Sequence, residues 1–188
     1  MVCAAVDGSN ATGIGGGAGG AGIARDCLLR GVKVALVESV DIATGATGSK
    51  HGLLHSGARY AVTDGESARE CISENQILRR IARHCIEPTS GLFITLPEDD
   101  LHYQRPFIEA CLAAGIQAEA IDPQLARRME PSVNPALTGA VRVPDGTVDP
   151  FRLTAANMLD AREHGATILT AHEVTGLLRR GDRVEGVK

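Results

Sequence analysis

The chain has 188 residues, of which 19 are Lys or Arg and 23 are Asp or Glu, giving a formal net charge of −4. Its 44% of hydrophobic and 22% of charged residues are typical of soluble globular proteins and exclude disordered and collagen-like chains. The acidic balance gives no indication of nucleic-acid binding, and no apolar run approaches the ~18 residues of a membrane-spanning helix.

No signal peptide is predicted at the start of the chain, so we expect a cytoplasmic protein. Five cysteines without a Cys-x-x-Cys pair argue against a disulfide framework or a zinc site.

Hydrophobic periodicity and capping signals predict strands and helices that alternate along the chain. Asp-Pro pairs at 122–123 and 149–150 each predict a helix start, with Asp as the N-cap and Pro at the first helical position. The order favours an α/β nucleotide-binding domain interrupted by a second, mixed module. The predicted elements are a very short strand over 11–14, a helix over 18–30, a strand over 32–37, an irregular segment over 40–62, a helix from a capping box at 63–66 to about 86, a strand over 91–96, helices over 106–114 and 122–129, a strand over 138–143, a helix over 149–165, and strands over 167–170, 174–179 and 183–187.

A glycine-rich stretch carries the strongest functional signal. Of the 22 glycines, 14 fall in residues 1–65, and those at 15–20 match the G-x-G-x-x-G pattern. Gly15 permits a tight turn, Gly17 and its neighbour Gly16 let backbone approach a pyrophosphate, and Gly20 lets the following helix pack closely. A flexible linker is the alternative, but it does not explain the helix, strand and acidic residue that follow. The stretch therefore predicts dinucleotide binding.

The residues after the predicted strand at 32–37 indicate which dinucleotide is bound. Glu38 ends this strand, where its carboxylate can accept hydrogen bonds from the adenosine ribose hydroxyls. Glu38 therefore favours a cofactor whose adenosine ribose has a free 2′-hydroxyl, which is NAD or FAD and not NADP. The polar segment that follows suits a long ligand such as FAD, with Thr47, Gly48 and Ser49 placed to contact the pyrophosphate.

Beyond these motifs, the chain resembles a known family over residues 13–188. The segments are GIGGGAGGAGIARDC, VESVDIATGATGSKHGLLHSGARYAVTDGESARECISENQIL, GLFITLPEDDL and VPDGTVDPFRLTAANMLDAREHGA. They resemble the FAD-containing A subunits of anaerobic glycerol-3-phosphate dehydrogenases, within the glycine/D-amino-acid oxidase-like flavoproteins, whereas residues 1–12 do not. The family's chains are much longer, so we expect the N-terminal third of such a polypeptide. The resemblance implies a Rossmann-like FAD-binding domain interrupted by a mixed α+β substrate module.

The resemblance also implies roles for individual residues. His55 is a candidate proton acceptor for a substrate hydroxyl, and a structural hydrogen bond is the alternative. Arg59 is a candidate phosphate contact, and a salt bridge that holds its loop is the alternative. The backbone of Val174 is expected to touch the adenine. His51 and His55 have helical metal-ligand spacing, but no third ligand is evident and no metal site is predicted.

The implied division of the chain has three parts. We expect residues 1–86 to begin the FAD-binding domain, 87–148 to form part of the substrate or cap module, and 149–188 to return to the FAD-binding domain. The implied reaction is oxidation of sn-glycerol 3-phosphate to dihydroxyacetone phosphate, with electrons passed to a quinone. Partner subunits would hold the complex on the cytoplasmic face of the inner membrane.

Two other functions remain open at this point. One is FAD-dependent oxidation of another 2-hydroxy acid such as 2-hydroxyglutarate, and the other is an inert nucleotide-binding fragment. The isolated chain is expected to be inactive, because the family builds its sites from both ends of a longer polypeptide.

Overall fold

The structure is a computed structural model that describes residues 9–188 of the chain. The segment predicted to depart from the family is residues 1–12, and residues 1–8 of it lie outside the described range. Within it, no helix is both long and apolar enough to cross a bilayer. The main elements, in chain order, are β1 (Ala11–Ile14), α1 (Ala18–Leu29), β2 (Val34–Val37), β3 (Leu53–Leu54), α2 (Gly65–Ile81), β4 (Ile86–Glu87), β5 (Gly91–Thr95), α3 (Gln104–Ala113), β6 (Glu119–Ile121), α4 (Pro123–Met129), β7 (Gly139–Val143), β8 (Gly146–Val148), α5 (Pro150–Glu163), β9 (Thr167–Leu169), β10 (Leu177–Arg180) and β11 (Arg183–Val187).

The described chain divides into two compact units. The first unit contains the residues up to His51 together with Asp149–Lys188, and the second contains Gly52–Val148. We call them the glycine-loop unit and the inserted unit. The inserted unit lies between two segments of the glycine-loop unit in sequence, which agrees with the predicted interruption of an α/β domain.

The glycine-loop unit is built on a parallel sheet with the strand order β1-β2-β9. Strand β2 is central and all four of its residues are buried, which explains its Val-rich sequence. Helix α1 connects β1 to its parallel neighbour β2, as parallel pairing requires a crossover. The core contains Ala21, Ala24, Val34, Leu36 and Met158. The predicted β-α-β unit, including the short first strand, is therefore confirmed.

The inserted unit contains two antiparallel sheets. One has the order β3-β8-β4 and the other β5-β7-β6. Strand β5 pairs only with β7 among the described strands, so it lies outside the parallel sheet, as predicted. Helices α2 and α3 pack on a core that includes Ile72, Phe107, Cys111, Ile116 and Val141.

The boundary of the inserted unit differs from the predicted one. We expected the division at residue 86, whereas the structure places residues 52–86 with 87–148. The cause is the sheet around β8, because both β3 and β4 pair with β8 and so tie the two stretches together. This pairing joins residues far apart in sequence, which local periodicity does not reveal.

Three predicted element ends also change. Helix α2 is capped by Asp64, whose Oδ1 accepts from Ser67 N at 3.1 Å, and not by Thr63. It ends at Ile81, and a short 3₁₀ turn follows it instead of a continuous helix to residue 86. The strand predicted from Val174 begins at Leu177.

Two predicted helix starts are confirmed. The Asp122 carboxylate accepts from the backbone N–H groups of Gln124 and Leu125, at 2.8 and 3.2 Å. The Asp149 carboxylate accepts from Arg152 N at 2.9 Å. In both helices Pro follows the cap, where its missing N–H costs no hydrogen bond.

Candidate functional site

The loop from β1 to α1 has a backbone that only glycine allows. Gly15 has a φ of +110°, and its N–H donates to Val37 O at 2.8 Å. A Cβ on Gly20 would overlap Gly15 O and would also lie 3.5 Å from Leu36 Cδ1. The first turn of α1 therefore lies directly against the loop, and a side chain at position 20 would separate the two.

The N-terminus of α1 presents backbone donors. Its N-cap, Gly17, has an extended backbone and makes no side-chain capping hydrogen bond. The first N–H groups of a helix have no acceptor within the helix, and they carry a partial positive charge that favours anions. Ala18 N donates to Thr47 Oγ1 at 3.0 Å, and a Cβ on Gly17 would lie 2.8 Å from that oxygen. Thr47 keeps its hydroxyl proton to donate to a further acceptor.

Glu38 lies beside the same loop. Its Oε2 accepts from Gly16 N at 2.6 Å, while its Oε1 accepts from Val40 N at 2.9 Å and from Ser39 Oγ at 3.0 Å. These hydrogen bonds, first of all that from Gly16, hold the pKa of the Glu38 carboxyl below its usual value. A carboxylate has about four lone-pair sites, so this one can accept a further hydrogen bond.

The segment after Glu38 folds back over the loop through a series of turns. Ala43 N donates to Gly16 O at 3.0 Å, which anchors the segment. Gly48 is required because a Cβ there would overlap Ala43 O and would lie 3.0 Å from the Phe151 ring. Ser49 Oγ donates to Gly45 O at 3.2 Å.

The predicted adenine contact, Val174, lies apart from these turns in sequence. It is half-buried in the irregular stretch between β9 and β10. Its neighbour Thr175 donates a backbone hydrogen bond to Lys188 O at 2.8 Å, so the stretch is held against the end of the β10–β11 hairpin.

The loop residues fit the diphosphate and ribose of a dinucleotide. The helix N-terminus and Thr47 provide donors for phosphate oxygens, and Glu38 provides a charged acceptor for hydroxyl groups. A Cβ on Gly17 would collide with Thr47 Oγ1 and one on Gly20 with Gly15 O, so neither position accommodates a side chain in this arrangement. The structure thus brings the predicted loop residues, Glu38 and Thr47 together within one unit.

The two predicted catalytic residues lie in the inserted unit and line one cleft. This cleft has a volume of about 470 Å³. Leu92 and Phe93 from β5 form part of its apolar wall. Its lining residues are Leu53, His55, Gly57, Ala58, Arg59, Gly91, Leu92, Phe93 and Asp145.

His55 contacts a carboxylate in this cleft. Its Nδ1 lies 3.2 Å from Asp145 Oδ2, and the two side chains are 41% and 17% exposed. Asp145 Oδ1 accepts from both N and Oγ of the buried Ser56, at 2.7 and 2.6 Å. The carboxylate is therefore fixed by the residue next to the histidine that it contacts.

Arg59 lies on a short 3₁₀ turn held close to α2. The turn follows Gly57, which has a φ of +87° and where a Cβ would lie 2.6 Å from Cys71 Cβ. The Arg59 guanidinium lies 5.5 Å from the centre of the Tyr60 ring. None of the ion pairs found in the described part of the chain includes Arg59.

Sequence reasoning missed Asp145, Asn75 and Arg79. The side chains of Asn75 and Arg79 bind the backbone on both sides of the His55–Asp145 contact. The sequence places Asp145 in a Pro-Asp-Gly turn, and this signal indicates only a turn. No group of three or more His, Cys, Asp or Glu that could hold a metal ion occurs among residues 9–188.

Comparison with known proteins identifies the family. A family model described as "FAD dependent oxidoreductase" matches residues 14–188. The chain belongs to this FAD-dependent oxidoreductase family. The roles of the glycine loop, Glu38 and Thr47 in holding the dinucleotide stay predictions for this member of the family.

Individual members of the family are similar to this chain. It is 80% identical to the A subunit of the anaerobic glycerol-3-phosphate dehydrogenase of Escherichia coli (strain K12), over 93% of this chain and 32% of that protein. It is 68% identical to the A subunit of the Haemophilus influenzae enzyme of the same name, over 93% of this chain and 31% of that protein. The chain thus spans about a third of the length of these relatives.

Solved structures share the fold of this oxidoreductase chain. The L-proline dehydrogenase of P. horikoshii matches with a TM-score of 0.79 and 27% identity, over 96% of this chain and 48% of that one. The glycerol-3-phosphate dehydrogenase of Bacillus halodurans, complexed with FAD, matches with a TM-score of 0.68 and 23% identity, over 96% of this chain and 30% of that one. The second likeness is one of fold alone.

Proposed function

We propose that this chain provides the FAD-binding loop and part of the substrate site of an enzyme that oxidises sn-glycerol 3-phosphate to dihydroxyacetone phosphate. The observation that carries the proposal is the 80% identity to the Escherichia coli dehydrogenase over 93% of this chain. The cleft that contains both His55 and Arg59 supports it. In this proposal the substrate module is the inserted unit, Gly52–Val148.

In this proposal the glycine-loop unit holds the cofactor. The N–H groups at the start of α1, Thr47 and the turn at Gly48 and Ser49 contact the diphosphate. Glu38 accepts hydrogen bonds from the adenosine ribose. The backbone near Val174 contacts the adenine. When bound, FAD supplies the acceptor for the two electrons that leave the substrate.

The inserted unit binds and orients the substrate. The guanidinium of Arg59 binds the substrate phosphate, since a planar fork of N–H donors matches phosphate oxygens bidentately. The imidazole of His55 accepts the proton of the hydroxyl on carbon 2 as that carbon is oxidised to a carbonyl. The apolar wall at Leu92 and Phe93 restricts water around the reacting carbon.

We further propose that the electrons pass through partner subunits to a quinone in the membrane. The two relatives are each named as one subunit of their enzyme, which supports an assembly with other chains. In that assembly the chain lies on the cytoplasmic side, held at the inner membrane by its partners. A pull-down of the whole protein with its associated chains tests this part.

A binding measurement on the chain tests the substrate. Calorimetric titration compares sn-glycerol 3-phosphate with glycerol, which lacks the phosphate, and with 2-hydroxyglutarate. We expect the phosphate ester to bind most tightly, and Arg59→Ala to weaken it by about tenfold or more, because a charge-assisted bidentate contact is lost. Arg105→Ala is the matched control, since Arg105 is exposed and pairs with Glu109 on its own helix.

Each contrary outcome has a defined meaning. Tighter binding of 2-hydroxyglutarate would assign the cleft to 2-hydroxy acids. Equal binding of glycerol and its phosphate would remove the proposed role of Arg59. Absence of flavin in the purified chain, together with no binding of any of the three compounds, would support an inert nucleotide-binding fragment.

A further inference from the structure

The contact between His55 and Asp145 joins residues that are 90 positions apart in the chain. Asp145 uses its two oxygens differently. Oδ1 accepts two hydrogen bonds from Ser56, and Oδ2 faces His55 Nδ1 at 3.2 Å. With Oδ1 fixed by two donors, the carboxylate cannot rotate freely, so Oδ2 is held toward the imidazole.

Asn75 holds the His55 side of this contact. It is 1% exposed, and its Nδ2 lies 3.1 Å from His55 O and 3.3 Å from Leu54 O. The same nitrogen lies 3.5 Å from Pro144 O, on the segment that carries Asp145. One buried amide therefore faces both segments.

Arg79 holds the Asp145 side and is itself oriented by Asn75. Its Nε donates to Asn75 Oδ1 at 2.7 Å. Its terminal nitrogen donates to Pro144 O and Asp145 O, both at 2.9 Å. Both residues lie on α2, one helical turn apart, so a single rigid element sets the distance between the two segments.

A glycine leaves the space in which Asp145 lies. A Cβ on Gly91 would lie 3.0 Å from Asp145 Cβ and 3.1 Å from its Oδ2. A side chain at position 91 would push the carboxylate away from its present place. The network therefore extends from α2 through the turn at Asp145 to the start of β5.

We propose that Asp145 is a positioning residue, which accepts the Nδ1 proton of His55 and so places the proton-accepting lone pair of the imidazole on Nε2. A neutral imidazole has one donor nitrogen and one acceptor nitrogen, and the hydrogen bond at one decides the role of the other. A carboxylate accepts but does not donate, so Asp145 selects the form protonated at Nδ1. When Nε2 takes up the substrate proton, the same carboxylate stabilises the imidazolium that forms.

This inference rests on the proposed function, in which His55 accepts the hydroxyl proton. It adds that Nε2 is the accepting atom, that Asp145 selects this atom, and that hydrogen bonds within the inserted unit hold Asp145 in place. It is testable without cofactor or substrate, because the tautomer of His55 is a property of the chain alone.

Nitrogen-15 NMR of the labelled chain reads the tautomer directly. Long-range nitrogen–proton correlations are recorded at about pH 8.5, where free imidazole is neutral, and His55→Gln identifies the signals of His55. We expect the Nδ1–H form to exceed the Nε2–H form by about tenfold or more, since hydrogen bonds to charged groups are strong. In Asp145→Asn the amide can donate to Nδ1, and the ratio is expected to invert.

The control and the contrary outcomes are distinct. Asp122→Asn is the matched control, because Asn caps a helix about as well as Asp and this variant leaves His55 untouched. An Nε2–H form in the wild type or an unchanged ratio in Asp145→Asn would each overturn the inference. If Asp145→Asn does not fold, the ratio of the Nδ1–H to the Nε2–H form of His55 in the wild type still tests the inference. Failure of the whole protein to bind or oxidise glycerol 3-phosphate would refute the proposed function and leave the tautomer result standing.

Discussion

The two candidate sites of this chain differ in whether backbone groups or side chains provide their contacts. In the glycine-loop unit, backbone atoms provide most of the binding groups, and most of the residues that expose them lie between Gly15 and Gly20. In the inserted unit, the site is made of side chains, and its main contact joins His55 to Asp145 across 90 positions. A backbone site depends on small residues in a fixed local order, whereas a side-chain site depends on a network that keeps distant loops together. The two sites are therefore expected to fail in different ways.

The largest effect is expected where the backbone site tolerates no side chain. Gly20→Ala places a methyl group onto Gly15 O, so the loop or the first turn of α1 must move. We expect FAD affinity to fall by about a hundredfold, equivalent to about 3 kcal/mol at the upper end for overpacking. Flavin fluorescence titration measures the affinity, and circular dichroism checks that the helix remains.

Gly22→Ala is the matched control for this prediction. Gly22 lies in the same helix, and a Cβ there would meet nothing within 4 Å. Alanine favours the helix more than glycine does, by up to about 1 kcal/mol. This variant should bind FAD as the wild type does and unfold at a higher temperature. An equal loss of affinity in both variants would show that helix composition, and not the close approach at Gly20, governs binding.

The second effect tests whether the side-chain site depends on its network. Asn75→Ala removes the amide that faces the carbonyls of Leu54, His55 and Pro144 and leaves them with one donor fewer. Because these groups are buried or partly buried, we expect the free energy of unfolding to fall by about 2–3 kcal/mol. Urea denaturation measures the change. Gln76→Ala, its exposed neighbour, should change stability by less than about 0.5 kcal/mol.

A result for Asn75→Ala equal to that for Gln76→Ala would contradict the network. It would mean that the β3-β8-β4 sheet alone keeps the loops of His55 and Asp145 together. The contrast between the two sites would then be weaker, because both would depend mainly on backbone hydrogen bonds.

The same contrast explains how much the sequence could predict. Helix α1, β2 and Glu38 follow one another within about 20 residues, and each has a local signal in glycine spacing or hydrophobic pattern. The helix starts at Asp122 and Asp149 were predictable for the same reason, since a cap contacts backbone only two or three residues away. The resemblance to a known family added His55 and Arg59.

What could not be predicted depends on contacts between distant residues. The boundary of the inserted unit is set by β8, which pairs with both β3 and β4. The sequence indicates only that Asp145 is a turn residue, and its contact with His55 is formed by the fold. The sequence likewise indicates only that Asn75 is a polar residue in a helix, and its burial is set by tertiary packing. Thr63 and Asp64 are both acceptable N-caps, and only the geometry of the turn selects Asp64.

The smallest effect concerns the pH dependence of the glycine-loop unit. Hydrogen bonds from Gly16 N and Val40 N lower the pKa of Glu38 in the folded chain. A carboxyl whose folded pKa is lowered stabilises the fold above its unfolded pKa, and this contribution is lost as the pH falls through the folded pKa. We therefore expect the wild type to be more stable than Glu38→Gln at about pH 6 and the difference to disappear at acid pH, below the usual glutamate pKa of about 4.3.

Urea denaturation of both chains across this range measures the difference. Glu163→Gln, which changes an exposed carboxyl on α5 of the same unit, should show no such loss at about pH 6. A difference between wild type and Glu38→Gln that stays constant from neutral to acid pH would mean that the Glu38 side chain contributes by packing, and the charged hydrogen bond to the loop would then have no part in its stability.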